Sequence, residues 1–472
     1  MQTYDVIVIG AGSTGENVAV RAVDGGLSAV LIESELVGGE CSYWACMPSK
    51  ALLRGPETLA AARAVDGAAQ AVTGDVDAAA TLARRTKFTS DWNDDSQVQW
   101  AASKSIDVLR GIGRLTGERT VRVSGTDGTV TDLTATHAVA VCTGSSASLP
   151  PIPGVADARP WTAREATSAQ KVPDSLVIIG GGVVGCELAT AWRALGSDVT
   201  LLERGERLLS RHEPFAGDFV AASLRESGVD VRIGASIDGV RRDGDGPTTV
   251  LTGDGEITAE YLLVAAGRRP GTADIGLETV GLEPGSWLDV DDTCLVTAVE
   301  GGWLYAAGDV NHRALLTHMG KYQARACGTA ILARSRGEQV SGEAWSSSAA
   351  TADHAAVPAV VFTEPAVASV GMTEEGARSA GLAVRAVEYD MAALAGTAVY
   401  ADGYAGRAKM VVDEDRRVLV GVTFVGPGVG ELLHSATVAV VGEVPLERLW
   451  HAVPSYPTIS EIWLRLLETY GL

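Results

Sequence analysis

The sequence predicts an α/β protein built from two Rossmann-like dinucleotide-binding domains and an α+β C-terminal domain. Three observations predict it. A glycine-rich turn joins a strand pattern to a helix pattern at Gly10–Gly15, and a second does so at Gly180–Gly185. Past residue 354 the pattern changes to short apolar strands and two helices with no nucleotide signature. At 472 residues the chain can hold two to four domains, each with its own core.

Tyr4 to Ile9 is a short apolar run that reads as a strand. Gly10-Ala11-Gly12-Ser13-Thr14-Gly15 follows, then a helical pattern through Val18, Ala19 and Val23. A second strand, Ala29 to Ile32, ends in Glu33. Strand, tight turn, helix, strand and acid together form the dinucleotide fingerprint. Its glycines let the backbone approach a pyrophosphate at a helix N-terminus, and the acid can bind ribose hydroxyls.

Directly after this unit comes Gly38-Gly39-Glu40-Cys41-Ser42-Tyr43-Trp44-Ala45-Cys46-Met47-Pro48-Ser49-Lys50. A metal site would need more Cys or His nearby, and none follows within the next eighty residues. A redox disulfide is the better reading, and two buried structural cysteines the plainer alternative. In a regular helix, residues five apart have Cα atoms about 8.6 Å apart, whereas a disulfide needs roughly 4.4–6.8 Å. If Cys41 and Cys46 join, the segment between them is not regular helix. Pro48 and Ser49 place the start of the following helix near Cys46, where a thiolate is favoured. Lys50, one turn on, adds positive charge.

Pro56 to about Gly117 reads as largely helical, and Val121 to Thr131 as a hairpin around Thr126-Asp127-Gly128. Ala138 to Val141 is an apolar strand running into Thr143-Gly144-Ser145, and Pro150 to Gly154 marks a domain boundary. Ser175 to Ile179 then opens a second fingerprint: Gly180-Gly181-Gly182-Val183-Val184-Gly185, a helix, and Val199 to Leu202 ending in Glu203. First glycine to acid is 23 residues in both copies, which lie 170 residues apart. Chance does not match spacing in this way, so two dinucleotides are expected. Tyr261 to Ala266 is a strand ending in Gly267-Arg268-Arg269-Pro270, and Leu304 to Ala307 one ending in Gly308-Asp309. Ser341 to Asp353 reads as a linker. Strands at 359–363, 409–413 and 418–425 and helices at 431–441 and 460–468 follow.

The net charge of −21 argues against nucleic acid and anionic membrane as partners. No apolar run approaches membrane-spanning length, and Met1-Gln2-Thr3-Tyr4-Asp5 has no basic leader, so a cytoplasmic protein is expected. Cys142, Cys186, Cys294 and Cys327 are scattered among apolar neighbours and read as core residues.

The two fingerprints and the Cys41/Cys46 pair resemble those of the class I pyridine nucleotide-disulfide oxidoreductases, the flavoprotein disulfide reductases that include lipoamide dehydrogenase, glutathione reductase and mercuric reductase. The likeness extends to Thr143-Gly144-Ser145, Gly267-Arg268-Arg269-Pro270, Ala307-Gly308-Asp309 and Pro457-Thr458-Ile459-Ser460-Glu461. It implies FAD on the first fingerprint, held by Gly10, Gly12, Gly15, Thr143 and Gly144, with Glu33 on the adenosine ribose, Asp309 by the ribityl chain and Lys50 near the flavin. It implies NAD(P)H on the second, at Gly180, Gly182, Gly185, Glu203 and Gly267. Cys46 would face the flavin, Cys41 would exchange with substrate, and Lys50 would pair with Glu187. No metal is implied as a resident cofactor. The domains implied are 1–150 and 271–345 for FAD, 151–270 for NAD(P) and 354–472 for dimerisation, giving a homodimer whose partner completes the active site. Glu203 favours NADH, since a carboxylate repels a 2′-phosphate; Arg204 and Arg207 leave NADPH possible.

The chain departs from the family pattern in one chemically telling place. Where lipoamide and glutathione reductases carry a His before Pro-Thr, this chain has Tyr456. An imidazole exchanges a thiol's proton near neutrality; a phenol, ordinarily titrating near pH ~10, does not. Thr458-x-x-Glu461 reads as a capping box for the last helix, ahead of a catalytic role for Glu461, and His451 as a surface or interface residue. Mercuric reductases add a C-terminal cysteine pair, absent here, and soluble transhydrogenases lack the cysteine pair present here. Glu40 stands where Thr is usual. The leading expectation is therefore a reductase of a small-molecule disulfide, or the reverse dithiol oxidase. The alternative is a quinone or metal-ion (mercuric-type) reductase, which needs no thiol base. A nucleotide-binding redox sensor is a third reading.

Overall fold

The computed structural model describes residues 2–472, in two compact units. The first comprises the chain up to Met47, Thr89–Ser148 and Arg268–His354. Its sheet runs in the order Asp107–Arg110, Ala29–Glu33, Gln2–Ile9, Val130–Val141, Thr120–Ser124, Ile112–Gly117, with Leu304–Ala306 also paired to Val130–Val141. Gln2–Ile9 is parallel to both neighbours, in register Val8↔Leu31 and Val8↔Ala140. Val6, Ile7 and Val8 are fully buried, as expected of a parallel strand covered on both faces. Val18, Ala19 and Ala22 of the helix Ser13–Asp24 pack one face, and Leu115, Val121 and Leu133 close the other.

Three expectations are corrected here. The stretch expected to stay helical to Gly117 leaves helix at Ser103. Asp107–Arg110 adds a parallel edge strand beside Ala29–Glu33, and Ile112–Gly117 pairs antiparallel with Thr120–Ser124. Sheet pairing outweighs the weak local preference of these short runs. The strand expected at 138–141 is the end of a 12-residue strand, Val130–Val141, whose start forms the hairpin. The expected linker at 341–353 is partly core: Ala349, Ala350 and Asp353 are buried.

The second unit comprises Pro48–Phe88, Leu149–Gly267 and Ala355–Leu472. Its four-stranded parallel sheet runs Asp230–Ile233, Asp198–Glu203, Ser175–Ile179, Tyr261–Val264. A three-stranded antiparallel sheet follows Ile233. The five-stranded antiparallel sheet runs Pro358–Val361, Ala366–Gly371, Val418–Gly426, Arg407–Asp413, Val384–Asp390. The helices Val429–Val441 and Ile462–Tyr470 complete this end of the chain. Cys142, Cys186, Cys294 and Cys327 lie in the cores as expected, and burial pushes their thiols up, Cys142 to about 12. Among the described residues no helix is long and apolar enough to cross a membrane.

Candidate active site

The two glycine turns are sterically alike. Gly10 (φ +101°) and Gly180 (φ +113°) sit where a side chain would strike the carbonyls of Cys142 and Ala265, at the end of the neighbouring strand. A Cβ on Gly15 would overlap the Gly10 carbonyl, and one on Gly185 the Gly180 carbonyl. Gly182 has open space where a Cβ would stand, and Gly12 has only Gly39, at 4.0 Å. Two glycines of each turn thus permit tight packing, and the third keeps the helix N-terminus accessible to a phosphate. Gly15→Val is expected to abolish dinucleotide retention at the first turn. A wild-type yield of dinucleotide released from the purified variant would contradict this.

The acids match as well. Glu33 accepts from the amides of Ala11 (2.8 Å) and Glu35 (2.8 Å). Glu203 accepts from Gly181 (2.6 Å) and Gly205 (2.5 Å). Each carboxylate ties its strand end to the glycine turn. Burial holds Glu33 above the usual carboxylate range, against the two amides that favour its charge. Arg204 is exposed, and Arg207 donates to the Ser210 carbonyl at 3.3 Å.

The cysteine segment is latched to the first turn: the Gly38 amide donates to the Ala11 carbonyl at 2.8 Å. A short helix, Gly39–Tyr43, carries Cys41 and ends at Trp44, whose φ of −136° breaks it. A new helix, Cys46–Arg63, begins at Cys46 itself. The break supplies the departure from regular helix that joining the two sulfurs requires. The two cysteines are not joined by a disulfide, and their thiols contact each other. Thr317 Oγ1 lies 3.1 Å from Cys46 Sγ and also hydrogen-bonds Cys41. The Cys41 thiol is pushed up, first by its hydrogen bond to Cys46, then by burial and the Cys46 charge; Thr317 and Lys321 oppose the shift. Burial and the contact with Cys46 thus hold the Cys41 thiol protonated, while Cys46 stands at a helix N-terminus, which favours negative charge.

Asp309 follows Gly308 at the end of the strand Leu304–Ala306. Its carboxylate accepts from Ser145 Oγ at 2.5 Å, and Arg268 Nε donates to the same hydroxyl at 2.6 Å. Gly144 has φ +66°, and the buried Thr143 hydroxyl has no hydrogen-bond partner. An orphaned hydroxyl, a carboxylate at a strand end, open helix N-termini and a matched pair of acids at the second strand of each unit fit FAD at the first turn and a nicotinamide dinucleotide at the second. In the second unit, Lys50 Nζ lies 2.7 Å from Glu187 Oε2 and 4.6 Å from the centre of the Phe362 ring, and Glu187 Oε1 accepts the Phe362 amide at 3.0 Å. Gly267, at φ +151°, ends the segment Leu149–Gly267 of this unit.

Tyr456 is 76% exposed. The expected capping box is not formed. Thr458 Oγ1 donates instead to the Ser455 carbonyl at 2.7 Å, and a 3-10 turn, Ile459–Glu461, precedes the last helix. Because that turn intervenes, Thr458 is too far back to cap the helix. Glu461 is buried, with Oε1 on Arg465 at 2.9 Å and Oε2 unpartnered. A cleft of about 720 Å³ in the second unit includes Arg207 among its lining residues, with His212, Glu213 and Lys409, but no glycine of the second turn. Sequence reasoning did not single out Thr317, 271 positions from Cys46, or the contacts of Ser145 (2.5 Å) and Arg268 (3.5 Å) to Asp309.

A family model described as pyridine nucleotide-disulphide oxidoreductase matches residues 4–330, and that family's dimerisation domain matches residues 357–466. Dihydrolipoyl dehydrogenase 3 of Pseudomonas putida is 32% identical, over 98% of this chain and 97% of its own. Mercuric reductase of Lysinibacillus sphaericus is 29% identical, over 97% and 81%. The Cu(II) complex of the HOCl-induced flavoprotein disulfide reductase RclA from Escherichia coli aligns at a TM-score of 0.84, with 25% identity over 99% of each chain.

Proposed function

The chain belongs to the FAD-dependent pyridine nucleotide-disulphide oxidoreductases, whose electron donor is NAD(P)H, and from that premise we propose that it is an NADH-dependent reductase of a small-molecule disulfide, or the reverse dithiol oxidase. FAD, when bound, relays electrons between the nicotinamide and the cysteine pair. The observation that carries the proposal is the contact between Cys41 and Cys46, with Thr317 against both. In this reading Cys46 holds the thiolate at the helix start, and Cys41 attacks the substrate disulfide. Gly10, Gly12, Gly15, Glu33, Thr143, Gly144, Lys50 and Asp309 would hold FAD. Gly180, Gly182, Gly185, Glu203 and Gly267 would hold NADH. Glu187 orients Lys50. The part near residues 354–472 pairs two copies of the chain, and the active site is completed by the partner. A cytoplasmic setting, where thiols stay reduced, belongs to the same reading.

Tyr456 favours a second reading, a reductase of quinones or metal ions, because such acceptors need no thiol base. NADH turnover with lipoamide, a quinone and Hg(II) separates the two. Dominant lipoamide turnover supports the first reading; quinone turnover alone, untouched by loss of Cys41, supports the second.

Donor choice follows from Glu203. Its carboxylate is held rigidly by two amides, so a 2′-phosphate meets a fixed negative charge. NADH is expected to be preferred, and Glu203→Ala to narrow the kcat/KM ratio for NADH over NADPH by on the order of tenfold. An unchanged ratio would place donor selection elsewhere.

A further inference from the structure

Asp353 lies in the stretch that reads as a linker, yet its carboxylate is wholly buried. Oδ1 takes Arg313 Nε at 3.1 Å, and Oδ2 takes Gln323 Nε2 at 2.9 Å. Arg313 is also held by Asp292 Oδ1 (2.6 Å) and the Asp291 carbonyl (3.0 Å). Gln323, on the helix Thr317–Ser335, is fully buried too. A carboxylate only accepts, so Asp353 takes the NH₂ side of the Gln323 amide and turns its carbonyl the other way. There Oε1 accepts the Gly308 amide at 2.7 Å and Asn311 Nδ2 at 3.0 Å.

These two contacts bracket Asp309. Gly308 stands at φ +83° and ψ −158°, a conformation that favours glycine, and Asp309–Asn311 is a 3-10 turn. One buried amide therefore grips the residue before Asp309 and the second residue after it. The carboxylate itself meets the Ser145 hydroxyl and, at 3.5 Å, Arg268 Nε.

We propose that Gln323, oriented by Asp353, is a positioning residue for Asp309: the buried relay Asp353–Gln323–Gly308/Asn311 sets the direction of the Asp309 carboxylate and through it the affinity for FAD. This rests on the reading of Asp309 as an FAD-binding residue. Gln323→Met keeps length and volume while removing the acceptor that holds the turn.

The test measures FAD dissociation constants by flavin fluorescence on titrating apoprotein, for wild type, Gln323→Met, Asp309→Asn and the double variant. Gln323→Met is expected to weaken FAD about tenfold in the wild-type background and less than about twofold in the Asp309→Asn background. Equal effects in both backgrounds would overturn the proposal, since a general loss of packing does not depend on Asp309. So would no effect of Gln323→Met while Asp309→Asn weakens FAD, a result that leaves the Asp309 reading intact. If Asp309→Asn changes nothing, that reading falls as well. Should Gln323→Met fail to fold, Asp353→Asn, which preserves volume, is put through the same cycle and judged by the same criterion.

Discussion

Replacing Cys41 with alanine is expected to lower NADH-driven reduction of a small disulfide by at least roughly 10³-fold, about 4 kcal/mol of transition-state stabilisation. NADH-to-quinone turnover in the same variant should stay within about threefold of wild type, because that route needs no sulfur nucleophile. The reason lies in the thiol contact. Cys41 is raised by its hydrogen bond to Cys46 and by burial, so near neutrality it is protonated. Attack on a disulfide requires its thiolate. No imidazole precedes Pro457 to collect that proton, and Tyr456 stands largely in solvent. The disulfide-reducing rate should therefore climb with pH from 6 through 9, at up to about tenfold per unit, with no limb near the ordinary histidine range of ~6.5. A bell-shaped profile with a limb near 6.5 would show that a histidine serves Cys41 after all. Disulfide turnover surviving in the alanine variant would remove the cysteine pair from the mechanism.

Lys409→Met is expected to destabilise the protein by about 3–5 kcal/mol, because it leaves buried charge without a partner. Lys409 Nζ lies 2.9 Å from Glu213 Oε2, 2.7 Å from Glu374 Oε2 and 3.5 Å from Glu388 Oε1. Lys409 and Glu213 are both buried. Glu213 also accepts the Glu374 amide at 2.7 Å, so the variant strands a carboxylate that fixes three segments of the second unit. Burial opposes the lysine's charge, but the hydrogen bonds to Glu374 and Glu213 more than offset it and raise Lys409. A raised lysine contributes fully below the unfolded value of ~10.4 and loses its contribution only as pH climbs through the higher folded value. The deficit of Lys409→Met should thus be flat between pH 6 and 9. Urea unfolding followed by tryptophan fluorescence measures it, and Lys409→Met with Glu213→Gln should recover much of the loss. A single-variant deficit under about 1 kcal/mol would mean that water reaches Glu213 readily.

The parts legible in the sequence are those whose chemistry is local. Gly10 to Glu33 and Gly180 to Glu203 announce themselves because turn, helix start and acid fall at set spacings along one βαβ unit. Their glycines are required by carbonyls within the same turn or on the adjacent strand. The helix start at Cys46 was legible for the same reason, since Pro48 is favoured in a first turn. The last helix was misread as boxed by Thr458 and Glu461 because the motif does not reveal an intervening 3-10 turn. The stretch before Asp353 was misread as a linker because Ser and Ala carry little pattern.

By itself the sequence determined two nucleotide turns, two acids, a cysteine pair and the replacement of a histidine by Tyr456. Only the tertiary structure decided what stands around them: Thr317 against both sulfurs, Ser145 and Arg268 on Asp309, Gln323 and Asp353 behind its turn, and Lys409 on Glu213. Those partners lie tens to hundreds of positions apart. Hydrogen bonds and ion pairs of that kind depend on distance in space, and no periodicity or spacing along a chain encodes which buried donor will meet which acceptor once the sheets have closed over them.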